Sequence, residues 1–139
     1  MSASVSPRGE ATRKNWKLWA ARVVSALPAL MLAVSASMKL SHSPMVVGVF
    51  VEHLGYQESA LLPLALLELT CMILYVVPRT RVLGAVLLTG YLGGAVATHV
   101  RVGDPFLVPL VLGILVWVGL YLRDPRVRAL ATLRGAETN

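Results

Sequence analysis

Glu68 is the residue whose position most clearly suggests chemistry. It lies within the apolar run LLPLALLELTCMILYVV (61–77), about 15 Å from the end of its predicted helix that faces the cytoplasm, at about 1.5 Å per residue. A carboxylate near the centre of a bilayer costs about 2.5–3.5 kcal/mol. We therefore expect Glu68 to face other helices, to be paired or protonated there, and to accept or release a proton.

Depth along the predicted helices identifies partners for Glu68. Tyr91 lies about 15 Å from the inner end of the third helix, level with Glu68. Lys39 and His99 lie roughly 10 Å nearer the outer end, within reach of a lysine side chain or one bridging water, and Arg101 could close over that end. We predict that these five residues bind a ligand, and that Glu68, His99 and Tyr91 are catalytic if the protein is an enzyme.

Structural roles compete with these functional ones. Lys39, His99 and Arg101 could each anchor a helix end by extending a polar group to the membrane interface, the commonest role of such residues. Glu68 could belong to a purely structural ion pair or hydrogen bond. The sequence by itself leaves both interpretations open.

Polar side chains also recur at helical spacing on three predicted helices. Each stripe rises toward the predicted outer half of the bundle, so we expect a pocket with a polar floor that opens outward. The stripes consist of Ser35, Met38, Lys39 and His42; of Glu68, Cys71, Met72 and Tyr75; and of Tyr91, Ala95, Thr98 and His99.

Four apolar segments must position these residues. Of the 139 residues, 56% are hydrophobic and 14% are charged, whereas about a quarter are charged in a soluble domain. Each segment is long enough to cross roughly 30 Å of hydrocarbon as a helix. We therefore predict an all-α membrane protein, with a four-transmembrane-helix bundle at 20–124, helices at about 20–40, 60–78, 81–101 and 106–122, and tails at 1–19 and 125–139.

The basic residues predict how this bundle is oriented. Eleven of the 13 Lys and Arg residues lie in the first tail, between the second and third helices, or in the last tail; Lys39 and Arg101 are the others. This bias places both termini in the cytoplasm. The long outer connection at 41–59 predicts a short interfacial helix that begins near Pro44 and ends at Gly55.

Composition and motifs argue against several other classes of protein. The net charge of +6 is concentrated beside apolar segments, so we expect no nucleic-acid partner. A single cysteine, Cys71, makes neither an internal disulfide nor a CxxC pair. The three histidines lack metal-ligand spacing, and no nucleotide-binding motif is present. We expect neither a bound metal nor a covalently bound cofactor.

Gly90 and Gly94 form a GxxxG pair on the third predicted helix. Such a pair lets another backbone approach closely. The approaching helix could belong to the same bundle, to a second copy in a homo-oligomer, or to another membrane protein. Internal packing is the simplest of these explanations.

Four segments resemble the DoxX-like family of small four-helix membrane proteins, and the resemblance covers about residues 20–124. They are SASMKL (35–40), LLELTCMILYVVP (66–78), PRTRVLGAVLLTG (78–90) and YLGGAVATHVRVGDP (91–105). The resemblance implies a multi-pass protein of the bacterial cytoplasmic (inner) membrane, with polar family positions that match Lys39, Glu68 and His99. The founding relatives are small subunits of a thiosulfate:quinone oxidoreductase, which suggests a quinone ligand and a membrane redox partner.

Three functions are compatible with these observations. In the first, the pocket holds a small or lipophilic ligand such as a quinone, as an accessory to a membrane redox or transport process. Lys39 and His99 would then bind a carbonyl or anionic group, while Glu68 and Tyr91 relay a proton. In the second, the protein is a membrane isomerase, cyclase or hydrolase with Glu68 as general acid or base. In the third, it is a helix-docking or chaperone-like partner of another membrane protein.

Overall fold

The structure is a computed structural model that describes residues 7–132, all of whose regular elements are helical. Two short turns lie between the first long helix and the second: a π-helical turn at Gly48–His53 and a 3-10 turn at Glu58–Ala60. The helices are α1 (Pro7–Leu40), α2 (Pro44–Val47), α3 (Leu61–Val76), α4 (Arg81–Val102), α5 (Leu107–Arg123) and α6 (Pro125–Thr132).

Four of these helices form a bundle in which each long helix packs against two others. The helix α1 contacts α3 and α5, and α4 contacts the same two helices from the opposite side. The buried core between them consists of Leu32, Cys71, Tyr75, Ala85, Leu88, Leu92, Leu112, Val116 and Leu120. Many leucines and valines remain exposed on the outside of the bundle, as expected for surfaces that contact lipid tails rather than water.

Three helical segments are long and apolar enough to cross a membrane: Trp19–Leu40, Glu58–Val76 and Arg81–Val102. The helix α5 is equally apolar but has only 17 residues, which span about 25 Å. The prediction of an all-helical membrane bundle is therefore confirmed. Four crossings and their orientation stay predictions.

Gly84 allows the closest contact between α3 and α4. A Cβ atom at this position would lie 2.1 Å from the backbone nitrogen of Tyr75, so only glycine fits. By contrast, a Cβ atom at Gly90 or Gly94 would meet no atom within 4 Å. The simplest explanation of the GxxxG pair, close packing inside the bundle, is therefore wrong.

Helical structure extends further into both predicted tails than the sequence indicated. The helix α1 already begins at Pro7, and α6 covers Pro125–Thr132. Asp124 caps α6 by accepting a hydrogen bond from the Arg126 amide at 2.9 Å, and Pro125 suits the first helical turn because that turn needs no N–H. The outermost parts of the tails, 1–6 and 133–139, lie outside the described residues.

The connection between α1 and α3 folds back on the bundle. His42 ends α1 in the left-handed conformation, with φ 47°, and the Ser43 amide bonds to the Met38 carbonyl at 3.2 Å. His42 is therefore exposed and outside the helical stripe predicted for it. The predicted short helix does begin at Pro44, continues as the π-helical turn, and precedes Gly55 at φ 72°. We refer to residues 44–57 as the cover segment.

Candidate functional site

A buried ion pair joins α1 and α3. The Nζ atom of Lys39 lies 2.7 Å from Oε2 of Glu68, and the two side chains are 3% and 1% exposed. Lys39 also donates to Ser35 Oγ at 2.6 Å, and the Ser35 hydroxyl donates to Oε2 of Glu68 at 3.4 Å. The charge of each partner is thus balanced within the bundle, which offsets the cost of removing both from water.

Tyr91 brings α4 into the same network. Its hydroxyl donates a hydrogen bond to Oε2 of Glu68 at 3.0 Å. Three helices therefore contribute side chains to one carboxylate, at the depth where the sequence predicted Glu68 and Tyr91 to be level. Lys39 does not extend to the interface as an anchor, because its ammonium group points into the bundle.

Phe50 of the cover segment shields Lys39 at the end of the bundle where α1 ends and α3 begins. The Lys39 ammonium lies 4.9 Å from the centre of the Phe50 ring, within the range of a cation–π interaction. The ring of Tyr56 lies 5.9 Å from that of Phe50, measured between centroids. The cover segment therefore closes this side of the ion pair with aromatic rings.

A cavity of about 310 Å³ lies beside the ion pair, between α3, α4 and the cover segment. Most of its walls are apolar, and its polar side chains are those of Tyr56, Tyr91, Thr98 and His99. Neither Lys39 nor Glu68 belongs to the lining. Tyr91 connects the two regions, since its ring lines the cavity while its hydroxyl binds Glu68. The lining residues are Phe50, Leu54, Tyr56, Leu64, Leu67, Gly90, Tyr91, Gly94, Ala95, Thr98 and His99.

His99 lies in the cavity and not on the ion pair. Its Nδ1 atom is 2.7 Å from the Ala95 carbonyl oxygen, one helical turn earlier. A carbonyl oxygen can only accept a hydrogen bond, so Nδ1 must carry a proton. The sequence predicted that His99 lies close to Lys39 and Glu68. In the structure His99 instead lines the same cavity as Tyr91, and Tyr91 is the residue that binds Glu68.

Thr98 and Tyr56 form the polar part of the cavity next to the cover segment. The Thr98 hydroxyl donates to the Gly94 carbonyl at 2.9 Å, and the hydroxyls of Tyr56 and Thr98 are 2.9 Å apart. Because the Thr98 proton is already used, Tyr56 is the donor in this second bond. This bond also ties the cover segment to α4.

Arg101 is outside the cavity and binds the cover segment from above. Its guanidinium donates to the Leu54 carbonyl, while His53 contacts Asp104 at 2.7 Å in a pair exposed to solvent. Together with the Tyr56–Thr98 bond, these contacts fasten the cover segment over the end of α4. Arg101 therefore does not line the cavity; in this structure it holds the cover segment through Leu54.

Sequence reasoning missed the two aromatic residues of the cover segment, Phe50 and Tyr56. Phe50 and Leu54 have helical i, i+4 spacing, which could have shown that they share a face. Nothing in the spacing reveals that this face folds back onto the bundle. That contact depends on the turn at His42 and on bonds to distant residues.

A second cavity, about 390 Å³ in volume, lies between α4 and α5. Its only polar side chains are Thr89 and Trp117, and the Trp117 indole already donates to the Thr89 hydroxyl at 2.8 Å. No titratable residue lines it. It offers packing space but no chemical group that could recognise a ligand.

A polar cluster lies at the opposite end of the bundle. Arg81 is 3.7 Å from Asp124, and the guanidinium of Arg123 lies 4.8 Å from the centre of the Tyr75 ring. The Tyr75 hydroxyl donates to the Val116 carbonyl at 3.0 Å. These contacts link α3, α4, α5 and the start of α6, so this cluster holds the helix ends together.

Metal ligands are not clustered in the part of the chain that the structure describes, where no group of three or more His, Cys, Asp or Glu residues is found. Cys71 is a free, buried thiol. The groups available for chemistry among the described residues are thus the Lys39–Glu68–Tyr91 network and the cavity beside it.

Comparison with known proteins identifies the family but no individual relative. The model of the DoxX-like family matches residues 23–119, well over half of the chain and every helix of the bundle. Searches of curated proteins and of solved structures give no significant match. The matched region includes Lys39, Glu68, Tyr91 and His99.

Proposed function

Since the chain belongs to the DoxX-like family of membrane proteins, we propose that it binds a lipophilic, ring-bearing ligand such as a quinone or its reduced form. In this proposal the protein acts as an accessory to a membrane redox or transport process. The observation that supports this function is the cavity beside a buried ion pair, with Tyr91 in contact with both.

The walls of the cavity suit such a ligand. Leu64 and Leu67 provide an apolar surface for hydrocarbon, while Phe50, Tyr56 and Tyr91 provide aromatic faces. Aromatic rings pack favourably at centroid distances of about 4.5–7 Å, so a ligand ring is favoured over a purely aliphatic chain. The volume of about 310 Å³ is at the small end of known ligand pockets, of roughly 300–1,000 Å³.

Lys39 and Glu68 would act on the ligand through Tyr91. The Tyr91 proton is bonded to Glu68, so the lone pairs of its oxygen are free to accept a proton from the ligand while Glu68 accepts the Tyr91 proton. Lys39 would stabilise Glu68 without touching the ligand. Direct action of Glu68 on a substrate, as in the enzyme hypothesis, receives less support because Glu68 does not line the cavity.

We further propose that the ligand reaches the cavity sideways from the bilayer. Leu67, Gly90 and Gly94 line the cavity and are also exposed on the outer surface of the bundle, where lipid would contact them. The cover segment closes the end that the sequence predicted to open outward. A lipophilic ligand dissolved in the membrane would then need no route through water.

The same proposal includes the arrangement in the membrane. The apolar helix α5 would be the fourth crossing, both termini would lie in the cytoplasm of a bacterial cell, and the cover segment would lie at the outer interface of the inner membrane. The distribution of basic residues supports this orientation. The exposed pair of His53 and Asp104 is compatible with a watery outer surface.

A cavity-filling substitution tests the binding function. Gly94→Leu would add four carbon atoms, each about as large as the ~30 Å³ of a water molecule, and would fill over a third of the cavity. We expect protein purified in native nanodiscs to lose its bound small molecule, measured by mass spectrometry of an organic extract. Ala97→Leu is the matched control, because Ala97 is exposed on the same helix and does not line the cavity.

Two results would contradict the proposal. An identical extract from the wild-type, Gly94→Leu and Ala97→Leu proteins would show that nothing binds in the cavity. Loss of a co-purifying protein from Gly94→Leu, with no change in small molecules, would favour helix docking or a homo-oligomer through Gly90 and Gly94 instead.

A further inference from the structure

We infer that the cavity selects a ligand by a hydroxyl group that donates a hydrogen bond, so that a phenol or hydroquinone binds in preference to the corresponding ether or quinone. This inference rests on the proposed function, since it names the ligand class of the same cavity. It follows from the hydrogen atoms of the four polar side chains that line the cavity.

Each of the three hydroxyl protons in the cavity is already committed to a protein acceptor. Tyr91 donates to Glu68, which also pairs with Lys39. Thr98 donates to the Gly94 carbonyl, and Tyr56 consequently donates to Thr98. The oxygen lone pairs that remain can accept hydrogen bonds but cannot donate them.

His99 likewise offers the cavity an acceptor and no free donor. Its Nδ1 proton is used by the Ala95 carbonyl, and it forms no ion pair with any residue that the structure describes. A neutral imidazole carries a proton on only one ring nitrogen, and in His99 that nitrogen is Nδ1. The Nε2 atom, at the far end of the ring, is then unprotonated and acts as an acceptor.

The cavity therefore offers acceptors and no free donor from its lining side chains. A ligand that carries only carbonyl or ether oxygens would have both its own oxygens and the protein acceptors unsatisfied. A ring hydroxyl satisfies one acceptor and keeps the aromatic contact. This conclusion reverses the sequence-based expectation that His99, together with Lys39, would bind a carbonyl or anionic group.

Matched probes test this selectivity in the full-length protein in nanodiscs by isothermal titration calorimetry. The first pair is 4-decylphenol and 4-decylanisole, and the second is decylhydroquinone and decylbenzoquinone under anaerobic conditions. We expect each hydroxyl compound to bind about three- to tenfold more tightly than its partner, the factor that one net hydrogen bond provides. Tighter binding of decylhydroquinone than of 4-decylphenol would identify the quinone pool as the source, and equal binding would identify a redox-inert phenol.

His99→Leu removes one of these acceptors, so it should bind 4-decylanisole as the wild-type protein does and show a smaller preference for 4-decylphenol. His42→Leu is the control, since His42 is exposed and outside the cavity, and should keep that preference. Nitrogen NMR of histidine-labelled wild-type protein provides a measurement that needs no variant. The His99 ring should be protonated at Nδ1 only, and its Nε2 resonance should shift when 4-decylphenol is added.

The outcomes separate this inference from the proposed function. Equal or tighter binding of 4-decylanisole or decylbenzoquinone would overturn the hydroxyl preference and leave the cavity as a binding site. Protonation of His99 at Nε2 in the free protein would also overturn it. Absence of binding by all four probes would overturn both proposals together.

Discussion

The buried pair of Lys39 and Glu68 provides the strongest test of this structure. Glu68→Gln keeps an acceptor for Tyr91 but leaves the Lys39 ammonium buried without a counter-charge. Lys39→Met leaves the Glu68 carboxylate with hydroxyl donors alone. Replacing both residues removes both charges at once, so the double variant should be less destabilised than the two single variants imply.

The expected magnitudes follow from the burial of the pair. With side chains 3% and 1% exposed, loss of one partner should lower the free energy of unfolding by about 3–5 kcal/mol. The loss of unfolding free energy in the double variant should be well below the sum of the two single-variant losses, because an uncharged pair of similar size costs little or is even favourable. We therefore expect a coupling energy of about 3 kcal/mol, the upper part of the usual range for residues in contact.

Steric trapping in bicelles measures these unfolding free energies without removing the protein from a bilayer. The control is Glu58→Gln, because Glu58 is exposed in the 3-10 turn and its replacement should change stability by less than about 0.5 kcal/mol. Single-variant effects that simply add, to within about 0.5 kcal/mol, would show that Lys39 and Glu68 do not interact. The reasoning about the network and about Tyr91 would then be wrong.

Two further predictions concern the packing and the orientation of the bundle. Gly84→Ala should unfold or strongly destabilise the protein in a thermal melt, because the new methyl group would overlap the Tyr75 backbone. Gly90→Ala is the control and should melt like the wild type, because its methyl group would meet open space. Equal melting temperatures for the two variants would refute this packing. For orientation, Glu52→Cys should react with a membrane-impermeant maleimide added to intact cells, whereas buried Cys71 should stay unlabelled. Labelling of Glu52→Cys only after the membrane is opened would reverse the proposed orientation.

Several parts of the fold and site could be predicted because they depend on one helix at a time. Apolar length identified the long helices, and the rise per residue placed Glu68 and Tyr91 at the same depth. Helical spacing correctly grouped Tyr91, Thr98 and His99 on one side of α4. Each of these inferences uses only local geometry, which is nearly constant from one α-helix to another.

Other parts could not be predicted because they depend on contacts between distant elements. Lys39 was equally compatible with an anchor at the interface, and its inward direction follows from Ser35 and Glu68 being close enough to bind it. Which glycine packs closely against another helix could not be predicted for the same reason. Gly84 approaches Tyr75, whereas Gly90, with the same freedom in the sequence, borders a cavity.

The sequence by itself thus determined a helical membrane protein with a costly carboxylate in its interior, since hydrophobicity and helical rise act within each segment. Only the tertiary structure decided that Lys39 neutralises that carboxylate, that the cover segment brings Phe50 and Tyr56 to the cavity, and that His99 lies with them. The physical reason is that hydrogen-bond partners are chosen by how the helices and their connections pack together. That packing also determines which hydrogen-bond acceptors remain unpaired in the cavity, and the ligand proposed for it follows from them.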